Sequence, residues 1–263
     1  MYLLLCMLAF TDISICTLVV PKALCIFWFN LKDITLAGCL TQMFYLNTVL
    51  FTQSAILVTM AFDRYVAICN PLKYATILSS AQIAKLGAVG LVRAVLFILP
   101  MPLLVSELLF CDNRIIPQTY CDCMTVAKLS CGDIAVIRVY GLVIGIVNIA
   151  LDVSLIALSY GFIIRAVLRI SSKEAHEKAL STCTAHVCVL LLHWIPSLFS
   201  MITNRFGQGI ARHSHVILAN LYLLIPSMLN PYIYGLQSKE FREKLGKYTF
   251  KSWSSRISEL KSM

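Results

Sequence analysis

Six long apolar runs, at 1–29, 38–62, 82–105, 134–164, 179–203 and 214–236, leave this chain few ways to fold. Each reaches the length of about 20 mostly apolar residues that a helix needs to cross the hydrocarbon core of a bilayer. That solvent offers no water to an exposed N–H or C=O, so only helices and closed barrels span it. Barrel strands read as short segments of alternating polarity, whereas these runs are long and continuous. An all-α membrane protein is therefore expected, with a helical bundle over residues 1–236 and a cytosolic segment over 237–263. Only 13% of the residues are charged, about half the share of a soluble domain.

The net charge of +9 raises the question of a nucleic-acid partner, and its distribution answers it. Threaded through six spans, Arg64, Lys73, Lys85, Arg165, Arg169, Lys173 and Lys178 fall on one side, together with the basic residues of 239–261. By the positive-inside rule that side is cytosolic, so no nucleic acid is needed to explain the charge. The stretch 237–250, "QSKEFREKLGKYTF", is basic and amphipathic, suited to lying on anionic membrane lipid. The start, "MYLLLCMLAF", shows no basic n-region and no evident cleavage site.

Most of the 11 cysteines lie inside apolar runs as small hydrophobes. Cys111, Cys121, Cys123 and Cys131 instead crowd one outer loop, with Cys39 at the outer start of the second run. An oxidising compartment favours disulfides there; free thiols or a metal cluster are the alternatives, although no His stands at metal-ligand spacing among them. No internal repeat of the transporter kind is visible. Pro21, Pro100, Pro102, Pro196, Pro226 and Pro231 lie in or near the runs, where each can kink a helix by removing a backbone hydrogen bond.

An ionisable group at membrane depth is costly and is a functional hypothesis by default. Asp12 in "LAFTDIS" reads either as an inward-facing cation or switch site, or as a carboxylate satisfied by the hydroxyls of Thr11 or Ser14. Arg93 and Asp152 read as groups packed with polar neighbours, and His186 and His193 as interior hydrogen-bonded histidines. Asp63–Arg64 stands at the cytosolic end of its helix, either as an ordinary helix-end pair or as a pair whose Arg can exchange partners. No catalytic set, metal site or cofactor motif emerges, and the chain does not read as an enzyme.

Three blocks, "MAFDRYVAIC" with "NPLKY" at 60–74, "KALSTCTAHV" at 178–187 and "PSMLNPYIYGL" at 226–236, resemble those of the odorant receptors of the rhodopsin-like G-protein-coupled receptor superfamily. The resemblance runs from Met1 to about Leu245. "FWFN" at 27–30, "YCDCMTVAKLSC" at 120–131 and "NRFG" at 204–207 resemble the fish-like class, many of whose members respond to small acids. It implies a rhodopsin-like bundle in the plasma membrane, in olfactory cilia, with a small odorant ligand and a heterotrimeric olfactory G protein of the stimulatory, cAMP-raising kind as partners.

The resemblance also implies residue roles. Asp63, Arg64 and Tyr65 correspond to the inner switch, Tyr160 and Tyr234 to tyrosines that swing toward that arginine, and Asn230 and Pro231 to the motif of the last helix. Lys178 falls on the G-protein surface and Asp12 at the cation site. Cys39 would pair with Cys121 and Cys111 with Cys131, leaving Cys123 over. Met43, Phe44, Asn47, Ile202, Asn220 and Leu221 would line the odorant pocket, and Arg205 would grip a carboxylate, or else face water from a loop. An acid, ester or similarly polar odorant is the expectation.

Some positions depart from the family pattern. Gln53 stands where Glu is usual, Asn204 where His is usual, and His193-Trp194 where Phe-Tyr is usual. Met1 coincides with the methionine that opens the family's second helix, so six of seven family helices and no outer N-glycosylation sequon are expected. From this the sequence carries a second expectation, a non-signalling product retained in the endoplasmic reticulum; a six-helix channel or transporter is the third reading, and it lacks a repeat, a re-entrant loop and a charged pore lining.

Overall fold

The computed structural model describes residues 2–31, 33–111, 115–116, 118–169, 173–206 and 212–237. All six apolar runs are helical. They are α1 (Tyr2–Phe29), α2 (Leu36–Cys69), α4 (Ser80–Ile98) continued by α5 (Pro100–Ser106), α7 (Ala135–Val167), α8 (Lys173–Phe206) and α9 (Arg212–Gln237). Two short helices, α3 (Tyr74–Ile77) and α6 (Cys123–Ala127), lie in the connections. Five of the long helices have the length and hydropathy to cross a bilayer; in α9 the apolar stretch Ile217–Ile233 is shorter. The basic stretch over 238–250 and the tail beyond it lie outside the described residues.

Local chemistry sets the helix ends. The Thr35 hydroxyl accepts from Gly38 N at 3.1 Å and opens α2, and Ser79 does the same for α4 through Gln82 N at 3.3 Å. Each satisfies one of the N–H groups that the first turn leaves without a partner. Pro71 follows Asn70 at the end of α2, because a residue before proline is disfavoured in the helical region. Asn30 ends α1 at φ 55°, a left-handed conformation that asparagine tolerates better than most residues. Pro100 divides the third run, so that one span is built from α4 and α5 with Leu99 between them. Pro21, Pro196, Pro226 and Pro231 stay inside their helices.

The long helix α2 runs through the middle of the bundle, packed mainly on α4, α7 and α1, while α9 closes the far side against α1 and α8. The inner cluster joins Leu4 and Leu8 of α1, Ile56, Leu57 and Met60 of α2, Ile83 of α4 and Val189 of α8. The outer cluster joins Cys39 and Met43 of α2 to Val105, Val126 and Ile137. Large apolar side chains such as Val139, Val143, Leu155 and Phe162 face outward from α7, as a lipid-facing helix requires.

Close approach of α2 and α4 depends on Gly90, where an added Cβ would stand 2.7 Å from the Ala55 methyl. Gly161, with nothing within 4 Å of that position, faces open space. Gly90→Val is expected to lower stability by about 1–3 kcal/mol through overpacking. Gly161→Ala is expected to be neutral or to stabilise by up to about 1 kcal/mol. Thermal denaturation of the detergent-solubilised chain followed by circular dichroism checks both.

Candidate functional site

Besides Asp63 near the cytosolic end of α2, two carboxylates are buried among the described residues, those of Asp12 and Asp152, and both are engaged by α2. Asp12 of α1, 4% exposed, accepts from Gln53 Nε2 at 2.6 Å and from Asn230 Nδ2 at 3.1 and 3.2 Å. The neighbouring hydroxyls do not reach it: Thr11 donates to Leu8 O and Ser14 to Phe10 O. The expectation that Thr11 or Ser14 satisfies Asp12 is therefore corrected, because a helical hydroxyl bonds the carbonyl three or four residues back more readily than a side chain beside it. The Gln that stands where Glu is usual supplies a donor in place of a second acceptor.

Asp152 of α7, fully buried, receives four donors. Arg93 Nη1 of α4 lies 2.8 Å from Oδ1 and Nη2 lies 3.3 Å from Oδ2. Ser54 Oγ of α2 donates at 2.5 Å and Asn148 Nδ2 of α7 at 3.1 Å. Arg93 and Asp152 are thus packed with polar neighbours, as expected, and each is the other's charged partner, which the sequence reading did not specify. Asn148 precedes Asp152 by one helical turn, so both present to the same face.

Ser54 and Asn148 also form part of the wall of a cavity of about 210 Å³. Asn47, Leu50 and Phe51 of α2, Gly141 and Gly145 of α7, and His193, Trp194 and Ser197 of α8 continue the wall. Residues Asp122 to Met124 close it from the outer side. That lid is built locally: Asp122 Oδ2 accepts from the Thr125 N–H and hydroxyl, both at 3.0 Å, and caps α6. It is tied to the bundle where Cys121 bonds Cys39, with Cα atoms 5.4 Å apart, and where Gln42 accepts from Cys121 N at 3.0 Å. Cys111 bonds Cys131 and closes the rest of the loop; Cys123, outside both disulfides, is buried and lines the cavity.

Of the residues expected to line an odorant pocket, Asn47 lines this cavity. Met43 is instead fully buried against the disulfide in the outer cluster, and Phe44 packs edge-on against Tyr45. Asn220 accepts from Thr119 at 2.8 Å, and Ile202 and Leu221 are 53% and 43% exposed. These residues stand toward the outer helix ends, whereas the wall of this cavity is formed largely by α2, α7 and α8. Arg205 lies in α8 with its side chain outside the described residues, as do the side chains of Lys178 and Tyr234. Among the described lining residues none is Lys or Arg.

At the cytosolic end, Asp63 and Arg64 form a loose pair, Nε to Oδ2 4.0 Å. The firmer partner of Asp63 is Tyr74, whose hydroxyl donates at 2.7 Å. Burial, and then that hydrogen bond, push the Tyr74 phenol up to about 12, so it keeps its proton and remains a donor at physiological pH. Tyr65 packs on Phe162. Tyr160 bonds His186 Nδ1 at 2.8 Å, and Pro231 stands exposed inside α9. Sequence reasoning missed Tyr74, although its place in "NPLKY", eleven residues from Asp63, puts it in the turn beneath the end of α2.

A family profile described as olfactory receptor matches residues 1–251. The chain belongs to the olfactory receptor family. It is 48% identical over 244 residues to olfactory receptor 52N4 of Homo sapiens, an alignment covering 92% of this chain and 76% of that receptor. It is 47% identical over 246 residues to olfactory receptor 52D1, also of Homo sapiens, covering 93% and 77%. This is a family of odorant-sensing G-protein-coupled receptors, multi-pass membrane proteins and not enzymes.

Breaking one side of the Arg93–Asp152 pair leaves a buried charge without its partner. Asp152→Leu and Arg93→Met are each expected to destabilise the chain by about 3–5 kcal/mol, while the double replacement costs much less. A thermal double-mutant cycle on the solubilised chain checks this; additive losses would show that the two charges do not interact.

Proposed function

We propose that this chain is an odorant receptor of the plasma membrane that takes a small, polar-headed volatile into the cavity between α2, α7 and α8. Ligand binding there activates a stimulatory olfactory G protein and raises cAMP. The observation that carries the reading is the cavity itself, enclosed by apolar walls, provided with a few convergent polar groups and covered by a disulfide-anchored lid. Sites that bind small molecules have this composition. The acid expectation rests on Arg205 and on the resemblance to the fish-like class, and the described lining adds no cation to it.

The signal is relayed to the other end of α2, where Asp63, Arg64 and Tyr65 serve as the switch. In the resting arrangement Asp63 is engaged by Tyr74 and lies beside Arg64, while Tyr160 is held by His186. Activation frees Arg64 for the G protein, with Lys178, Asn230, Pro231 and Tyr234 at or near the moving surface. Asp12, with Gln53 and Asn230 around it, couples α1, α2 and α9 and is the cation site of the resting state.

The test is surface labelling of the full chain in cells carrying an olfactory G protein, with cAMP read against a panel of short acids, esters, alcohols and ketones. A response from labelled cells that Gly145→Leu suppresses, by filling the cavity, supports the reading. A labelled chain whose response survives that substitution places the ligand elsewhere, and a chain held inside the cell supports the non-signalling alternative. Tyr74→Phe removes a hydrogen bond to a charged group, worth about 1.5 kcal/mol or more. It is expected to raise agonist-independent cAMP by up to about tenfold, the equilibrium equivalent of that loss. An unchanged basal level would remove Tyr74 from the switch.

A further inference from the structure

Resting on the reading that the cavity is the odorant site, the geometry points to a ligand that is uncharged and donates a hydrogen bond, a short-chain alcohol, and not a carboxylate. Asn148 decides the matter. Its side chain is 94% buried, being 6% exposed, and it faces the cavity. The amide orientation is set by chemistry: Asp152 Oδ2, a carboxylate oxygen, can only accept, so the Asn148 atom 3.1 Å from it must be the NH2 group. The other amide atom, Oδ1, is therefore an acceptor, and it is buried without a hydrogen-bond partner. A buried acceptor left unmade is costly, and the group that satisfies it must carry O–H or N–H.

The charge of the wall selects among such donors. Asp152 has its charge matched by Arg93, so the inner wall presents a neutral ion pair. The remaining ionised group is Asp122 at the outer lid, where one oxygen is engaged in capping α6. A carboxylate brought into this cavity meets no cation among the described lining residues, and burying it without one is strongly unfavourable. It would also offer only acceptors to Asn148 Oδ1. An ether or ester offers none of the required donors. An alkylammonium has donors but would find a single, partly buried carboxylate, one of whose oxygens already caps α6.

An alcohol satisfies each requirement. Its O–H donates to Asn148 Oδ1, and its oxygen accepts from the ring N–H of His193, a lining residue. Its alkyl chain lies along Leu50, Phe51 and Ile144. The cavity, about 210 Å³, is below the range of about 300–1,000 Å³ for drug-sized ligands, which limits the chain to a volatile length.

The test is ligand-induced thermal stabilisation of the detergent-solubilised full chain, a binding readout that does not depend on the G protein. The probes are n-pentanol, its methyl ether, pentanoate and pentylamine. The alcohol is expected to stabilise at a concentration about tenfold lower than any of the other three. Asn148→Leu is expected to remove that preference, and Gly145→Leu to weaken all four probes. Equal or better stabilisation by the ether, pentanoate or pentylamine overturns the inference on the unaltered chain, so it stays falsifiable even if a variant fails to fold. A preference that persists in Asn148→Leu overturns it as well, as does the absence of stabilisation by any probe. Equal stabilisation of the unaltered chain by all four probes, with Gly145→Leu still weakening each, refutes only the donor assignment. Binding of the four probes indifferent to Gly145→Leu refutes the cavity as the odorant site.

Discussion

Gln53 and Ser54, adjacent on α2, hold two of the buried carboxylates, Asp12 and Asp152. Successive residues of a helix point about 100° apart, so one reaches Asp12 of α1 and the other reaches Asp152 of α7. In hydrocarbon an ionisable group without partners costs several kcal/mol, and that cost selects the register at which these helices meet α2. Asn230 adds α9 to the first carboxylate and Arg93 adds α4 to the second. Five helices are thereby positioned by two acids. Apolar packing in a lipid solvent is far less selective, because lipid tails compete for the same surfaces.

The cavity is a consequence of this arrangement. Fixing Asp152 against α2 and α4 presents Asn148, one turn earlier, to the gap between α7 and α8. Glycines at 141 and 145 leave room in that gap where larger side chains would fill it. The lid then depends on covalent and capping chemistry: the Cys39–Cys121 bond ties the loop to the outer end of α2, and Asp122 winds the short helix α6 across the opening. The result is a small, mainly apolar space with a few polar groups under a disulfide-tied cover.

The cytosolic end follows a different rule. Asp63 shares its contacts between Tyr74 in the turn beyond α2 and its sequence neighbour Arg64, and the pair distance of 4.0 Å is at the limit of an ion pair. An arginine held loosely beside an acid engaged elsewhere can be released by a small movement. The tight groups near the cavity and the loose pair at the other end sit on one continuous helix, which gives α2 the means to connect ligand and G protein.

The sequence alone determined the solvent, the helices and the family. Runs of apolar residues fix helices because backbone polar groups must be satisfied within the chain, and the blocks around Asp63, Lys178 and Asn230 carry the family resemblance directly. Expensive residues such as Asp12, Arg93 and Asp152 were also visible as residues in need of an explanation. Which partner each one took was decided only by tertiary structure. Asp12 and Asn230 are far apart in the chain, and nothing in a local window shows that they meet. Nor does spacing show that Arg93 and Asp152 face each other across α2. The pocket was the least legible feature, since a cavity is the space left between helix faces. The rotation and depth of α7 against α2, set by Asp152, put Asn148 on its wall, the packing of α8 puts His193 there, and Met43 lies in the core.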